Sequence, residues 1–294
     1  MTPRARSRLE LLAAAVLFST AGAAIKACSL GAAQVAGFRA GVAALAVLAL
    51  VPAARRGFSA RAAVVGVAYA ATVVLFVIAN RLTTAASTIF LQATSPLYIV
   101  LLQRWLLRER VERRDLAALA ALAAGLALVL LDTPPFAPTA PDPRRGNLVA
   151  AASALTCAFM MIGLRWLARA RADGGAGAAA VVLGNVFAFA STLPWAVSVH
   201  GARPLDWALL VYLGVFQIGL AYKLLLSALR HVPALEASLL LFVEPVLSPV
   251  WAWLFHGERP GPWTLAGGAL ILVTTAWRGW TEKSGPLPVT PPPE

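Results

Sequence analysis

Charge is scarce in this chain of 294 residues, and what there is leans to one sign. Charged residues make up 13%, with 13 acids against 25 bases, while 60% of the chain is hydrophobic. Soluble domains carry about 25% charge and about 45–50% apolar residues, so a soluble globular domain is excluded. Cysteine is nearly missing. Cys28 and Cys157 both sit in apolar stretches, which leaves no disulfide framework and no thiolate metal site. Histidine is confined to His200, His231 and His256, scattered at segment edges without metal-ligand spacing, so neither a metal nor a cofactor is expected. A Gly-rich phosphate loop is absent, which argues against ATP-driven transport by this chain alone. Asp115, Asp132, Asp142, Asp173 and Asp206 stand apart from one another. The clustered acids or histidines of a membrane-embedded lipid-head-group transferase are therefore lacking, as are the pore loop or charge ring of an ion channel. The basic excess alone would suit nucleic acid, but Arg-rich cytoplasmic loops of a membrane protein produce the same excess. No nucleic-acid partner is expected.

Long apolar runs, by contrast, are abundant. Ten can be marked, at 10–29, 33–53, 62–80, 85–106, 114–131, 146–167, 178–198, 206–227, 236–256 and 262–280. Each is long enough to cross about 30 Å of hydrocarbon as a helix. Alternating polar-in, apolar-out patterning is absent, so the expected fold is an all-α membrane protein with ten transmembrane helices. Arg4, Arg6 and Arg8 ahead of Leu11–Ala24 resemble the start of a signal peptide. With nine more segments following, an uncleaved first helix is the simpler reading. With the N-terminus inside, Lys26, Arg81, Arg144, Arg145, Arg203 and Arg259 fall on the outer side, Arg39 lies within the second segment, and the other eighteen of the 25 bases fall on the inner side. That bias predicts an inner (plasma) membrane protein of bacterial type with both termini cytoplasmic.

The fourth and ninth segments share a pattern. Thr88–Arg110 places Pro96 where Ala237–Arg259 has Pro245, and Glu109-Arg110 where the later run has Glu258-Arg259, both at an offset of 149 residues. Segments five apart run oppositely through a membrane. The expected organisation is two inverted five-helix repeats, 1–131 and 146–280, with any substrate held near the midplane where they meet. Between them, 132–145 carries five prolines in fourteen residues and reads as a stiff external linker. The Pro-rich tail, 281–294, reads as a disordered cytoplasmic end.

These features resemble the drug/metabolite transporter superfamily, specifically its EamA-type members. The resemblance rests on ten spans in two halves, a mid-membrane proline and a terminal Glu-Arg in each half (Pro96 with Glu109-Arg110, Pro245 with Gly257-Glu258-Arg259), and the glycines Gly125 and Gly267-Gly268 in the span that follows. Glu244-Pro245 is similar to the family's second-half signature. The first half has Ser95-Pro96 instead, and Arg108 where Gly is common. The resemblance implies a secondary transporter of small organic solutes by alternating access, often outward, with the amino-acid exporter branch the preferred match. A nucleoside, drug or other metabolite permease of the same fold is the alternative. The implied partners are a small-molecule substrate, the lipid bilayer and, as a candidate coupling ion, the proton.

Glu244 is the sharpest site candidate, because a carboxyl inside hydrocarbon normally faces a cavity or a partner. It can carry a proton or meet a substrate ammonium; the structural alternative is an ion pair with Lys223. Helical spacing puts Leu241, Glu244, Ser248 and Trp251 on one face, and Thr88, Gln92, Ser95 and Ile99 on another. For Gln92, Ser95 and Ser248 the alternative is helix–helix hydrogen bonding. Pro96, Pro245 and Pro249 should break the backbone ladder and free carbonyls four residues back. Arg39 either snorkels or receives a carboxylate, and the flanking Gly37 and Gly41 mark close helix packing. Thr20, Asn80, Tyr98, Gln217, Tyr222 and Lys223 complete the expected substrate contacts. Trp105, Trp166, Trp195, Trp207, Trp263, Trp277 and Trp280 fall near segment ends as an interfacial belt.

Overall fold

The apolar runs become helices because a helix satisfies its own backbone polar groups without water, and proline, glycine and short polar residues set their limits. The structure is a computed structural model that describes residues 3–106, 113–132, 136–170, 175–229, 231–232 and 234–281. Glu109-Arg110, Arg108 and the tail beyond 281 lie outside the described residues, as do the side chains of Trp105 and Trp280. The elements are α1 (Pro3–Ser19), α2 (Ala21–Ala27), α3 (Ala32–Leu50), α4 (Ala60–Leu82), α5 (Ala85–Gln92), α6 (Ser95–Leu106) and α7 (Arg113–Leu131). They continue as α8 (Pro143–Ala170), α9 (Gly175–Ala196), α10 (Pro204–Val211), a π-helical stretch Tyr212–Leu220, α11 (Ala221–Ala228), α12 (Ala234–Leu241), α13 (Val243–His256) and α14 (Pro262–Thr281).

Eight helical runs among the described residues are long and apolar enough to cross a membrane, and two shorter apolar helices, Leu116–Leu131 and Pro262–Trp277, accompany them. Large side chains that a soluble protein would hide are exposed around the bundle, among them Leu45, Val67, Phe255 and Val273. Trp166, Trp195, Trp207, Trp263 and Trp277 are exposed as well, in keeping with positions near helix ends.

Small residues let the helices approach closely. A Cβ on Gly37 would lie 2.4 Å from Thr192 Oγ1, and one on Gly41 3.1 Å from Phe189, so these glycines pack α3 against α9. Gly125 and Gly267 do the same between α7 and α14, where a Cβ on Gly267 would stand 2.6 Å from the Gly125 carbonyl oxygen. α8 begins within the 132–145 stretch. Asp142 Oδ1 accepts from the Arg145 amide at 3.1 Å and Pro143 opens α8, the combination of an N-cap acid with a proline at the first helical position.

The two ends of the bundle differ. At the end carrying the linker, Lys26 Nζ lies 2.8 Å from Glu258 Oε1, with both side chains at most 3% exposed. The same ammonium donates to the carbonyls of Thr83 and Thr139. Glu258 Oε2 accepts from the Ala85 amide at 2.9 Å, at the start of α5. Glu258 can reach this point because Gly257, at φ 66°, ends α13 in the left-handed conformation. Nearby, Asp132 Oδ2 accepts from the Thr264 amide at 2.7 Å. Asp206 takes the Ser29 amide and hydroxyl at 2.7 and 2.6 Å. Asp132, Asp142 and Asp206, which stand apart in the sequence, thus accept backbone amides at one end of the bundle. The opposite end, which holds the N-terminus, is joined by the more exposed pair Arg8–Glu236 and by Ser7 Oγ and His231 Nδ1 at 3.4 Å.

Candidate functional site

Both broken spans turn at matching places in their sequences. α5 ends at Gln92 and α6 starts at Ser95; α12 ends at Leu241 and α13 starts at Val243. Ala93 and Phe242, the residues at the breaks, are themselves 149 positions apart. Pro96 and Pro245 fall in the first turns after these breaks, where a missing amide is harmless. Pro249 behaves otherwise. It lies inside an unbroken α13, so the expected break at Pro249 does not form; proline in a helix bends or weakens the ladder without having to end it.

A cavity of about 280 Å³ opens beside the two breaks. Gln92 and Leu241, the last residues of α5 and α12, line it, together with Glu244 in the first turn of α13. Arg39 of α3, Gln217 of the π-helical stretch and Tyr222 of α11 complete the expected residues found there. Arg39 is 3% exposed, and its Nε and Nη1 have no hydrogen-bond partner; Gln217 Oε1 is likewise unpartnered. Gln92 is fixed by donating from Nε2 to Ser153 Oγ at 2.9 Å. Tyr222 packs edge-on against Phe18, with ring centroids 5.5 Å apart, and lies 6.3 Å from the Tyr69 ring.

The lining also includes residues that sequence reasoning passed over: Phe18, Tyr69, Thr72, Phe76, Cys157 and Met160 among them. Tyr69, Thr72 and Phe76 recur at three- and four-residue steps in α4, a helical face that the pattern does carry. The π-helix was not legible. Its nine residues, Tyr212–Leu220, place Gln217 and Ile218 on the cavity, and such widened turns are frequent at functional sites.

The other expected contacts lie elsewhere. Thr20 Oγ1 bonds to the Leu17 carbonyl at 2.7 Å and to the Tyr212 hydroxyl at 2.9 Å. Thr88 is fully buried and returns its hydroxyl to the Thr84 carbonyl at 3.0 Å. Asn80 donates to the Phe76 carbonyl at 3.0 Å, and Ser95 Oγ faces Met161 Sδ at 3.9 Å. Tyr98, half-buried, is not on the cavity wall. Ser248 is buried across from Gly22, and Trp251 Nε1 donates to Ser19 Oγ at 2.9 Å. The turn at Phe242 separates only Leu241 from this face; Glu244, Ser248 and Trp251 share the continuous α13, and Ser248 and Trp251, one and two turns beyond Glu244, meet α2 and α1 instead of the cavity. Lys223, an expected substrate contact, is exposed and absent from the cavity, and its ion pair with Glu244, the structural alternative, is not formed. Among the described residues, neither Arg39 nor Glu244 is held in an ion pair.

Chemically, the site offers one base and one acid, both unpaired, in a wall that is mainly aromatic and aliphatic. A buried charge without a partner is expensive, so the arrangement favours an occupant that brings the missing counter-charge.

Comparison with known proteins agrees with this architecture. A solved structure titled "Crystal structure of protein" superimposes with a TM-score of 0.62 at 22% sequence identity, over 95% of this chain and 99% of that one; this likeness concerns the fold. Two relatives, each named "Pseudopaline exporter CntI", come from Pseudomonas aeruginosa strains UCBPP-PA14 and PAO1. Each is 33% identical over 91 residues, a stretch that covers 31% of this chain and 32% of the relative. The chain thus spans about a third of the length of these curated relatives. The profile of the EamA-like transporter family matches residues 9–131 and 144–277, omitting the linker. The chain, a multi-pass membrane protein, belongs to the EamA-like transporter family.

Proposed function

We propose that the protein is a secondary transporter that exports a small zwitterionic metabolite, with amino acids the preferred class, by alternating access. The single observation that carries this reading is the cavity itself, which presents Arg39 and Glu244 without pairing them. A solute with a carboxylate and an ammonium supplies both counter-charges, and the apolar remainder of the wall suits a side chain. A volume of about 280 Å³ sits at the small end for ligand pockets, which suits a small metabolite. The relatives named as exporters support outward movement.

The packing supports two inverted repeats of five spans, 1–131 and 146–280. α4 packs on α8 and α9, and the Pro204–Ala228 run packs on α1 and α3; exchanging the two repeats converts one set of contacts into the other. α3 with α9, α7 with α14, and α5 with α13 are the pairings that a two-fold axis maps onto themselves. The charge bias orients the linker end outward and both termini inward, in an inner (plasma) membrane. In that orientation the buried Lys26–Glu258 network closes the outside. The lining residues of α8 and of the Pro204–Ala228 run lie in the halves away from it. The captured state is then open toward the cytoplasm, ready to load an exported solute. Glu244 provides a site for proton coupling.

A nucleoside or planar drug is the second reading, favoured by the rings of Phe18, Tyr69, Phe76 and Tyr222. Proteoliposomes given labelled amino acids and nucleosides, with and without a pH gradient, test both. Amino-acid flux that responds to the gradient is the expected result; flux of nucleosides alone contradicts the first reading.

A further inference from the structure

A second concavity lies on the outside of the bundle, between α4 and α8. It measures about 540 Å³ and is walled by Val64, Val67, Ala71, Phe159, Ile162 and Trp166 among others. Thr156 is the one hydroxyl of this wall, and it is already bonded: Thr72 Oγ1 donates to it at 3.0 Å, and it donates to the Ser153 carbonyl at 2.9 Å. The groove therefore offers no free polar group to a polar solute. At its N-terminal end the character changes abruptly. The Arg61 guanidinium sits 5.3 Å from the centre of the Trp166 ring. Arg61 is exposed and, among the described residues, has no carboxylate partner; Arg165 is exposed beside Trp166. An aromatic ring at the rim, a positive charge steadied on its face and an apolar slot behind them match an acyl chain joined to an anionic head group.

We propose that this groove is a binding site for an anionic phospholipid, with an acyl chain lying along Val64, Val67, Phe159 and Ile162 and the phosphate meeting Arg61. The inference rests on the chain's membrane-spanning character and not on the identity of the transported solute. A neutral solute or substrate tail has no use for Arg61. A second copy of the chain would bring no anion, since the facing surfaces α4 and α8 carry bases at this end.

The test is native mass spectrometry of the detergent-solubilised full chain, titrated with equimolar dioleoyl phosphatidylglycerol and dioleoyl phosphatidylcholine. Wild-type protein should bind its first phosphatidylglycerol about fivefold in preference, the effect of roughly one favourable charge at a lipid head group. Arg61→Gln should erase that preference, and Ala71→Phe, which fills the slot, should weaken the first adduct of either lipid. Arg165→Gln, a neighbouring surface charge, should leave most of the preference intact. Arg61 is exposed and its substitution does not threaten folding, so the result remains decisive if Ala71→Phe fails to fold. Equal binding of the two lipids by wild type, or an unchanged preference in Arg61→Gln, overturns the proposal, as does a dimer that excludes lipid from the groove. Because no transport is read, this outcome is independent of the substrate assigned to the central cavity.

Discussion

The two broken spans share geometry but divide the chemistry. Both turn at equivalent positions, Ala93-Thr94 and Phe242, and both resume with a proline in the first turn. At the first break Gln92 reaches the cavity, held by Ser153, while Ser95 turns away to Met161. At the second, Glu244 faces the cavity with no charged partner. A backbone feature common to the two spans thus places the ends of two helices against one space, and only one of them carries a charge there, Glu244 where the other span has Ser95. The shared break supplies the place, and the difference between the spans supplies the chemistry.

The comparison can be broken in graded steps. Glu244→Gln keeps the shape and removes the charge; transport in proteoliposomes should be abolished, and a wild-type rate with unchanged pH dependence would remove Glu244 from the mechanism. Next in size is Lys26→Met. It leaves Glu258 buried without its counter-charge, and Glu258 is the residue that ties the end of α13 to the start of α5. Breaking a buried pair costs about 3–5 kcal/mol, so the thermal midpoint in detergent should fall sharply. Arg8→Ala, at the more exposed pair of the opposite end, should barely move that midpoint. Arg39→Gln should weaken apparent substrate affinity by about ten- to a hundredfold, the loss of one charge-assisted hydrogen bond of roughly 1.5–3 kcal/mol. Concentration dependence of the initial rate checks this, and an unchanged half-saturation would detach Arg39 from the substrate. Smallest is Ser95→Ala, expected within about twofold of wild type, as for substitutions away from a site. A loss comparable to Glu244→Gln would show that the two breaks are chemically equivalent after all.

How much of this was legible follows the physics of each signal. The helices were readable because apolar length reports directly on burial in lipid, and the close approach at Gly37 and Gly41 because small residues are what such contacts require. The offset of 149 residues marks the region of both breaks through Pro96 and Pro245, while the turns themselves fall two or three residues earlier, at Ala93-Thr94 and Phe242. Residue-level contacts were less accessible. Pro245 and Pro249 look alike in sequence, yet one opens a helix and the other sits inside it, because tertiary packing decides whether the ladder resumes. Ser248 and Trp251 keep the face they share with Glu244 on α13, but one and two turns farther along it they meet α2 and α1, a packing that helical spacing alone does not show. Lys223 reads as a substrate contact or an alternative partner of Glu244 from its place in an apolar segment, whereas its position on α11 exposes it. The buried role of Lys26 was hidden because its partners, Thr83, Thr139 and Glu258, lie far along the chain. Gln217 was a site candidate, but the π-helical winding that presents it has no compositional mark.

The central claim is that Arg39 and Glu244 take the two ends of one zwitterion. The most direct measurement is competition in proteoliposomes between the best-transported amino acid and two analogues, its methyl ester and its N-acetyl derivative. The ester lacks the carboxylate and the acetylated form lacks the ammonium. On this account each competes at least about tenfold more weakly than the parent, as expected when one charge-assisted contact is lost. Discrimination against the ester should also disappear in Arg39→Gln. An analogue that competes as well as the parent would show that the corresponding charge in the cavity does not bind substrate.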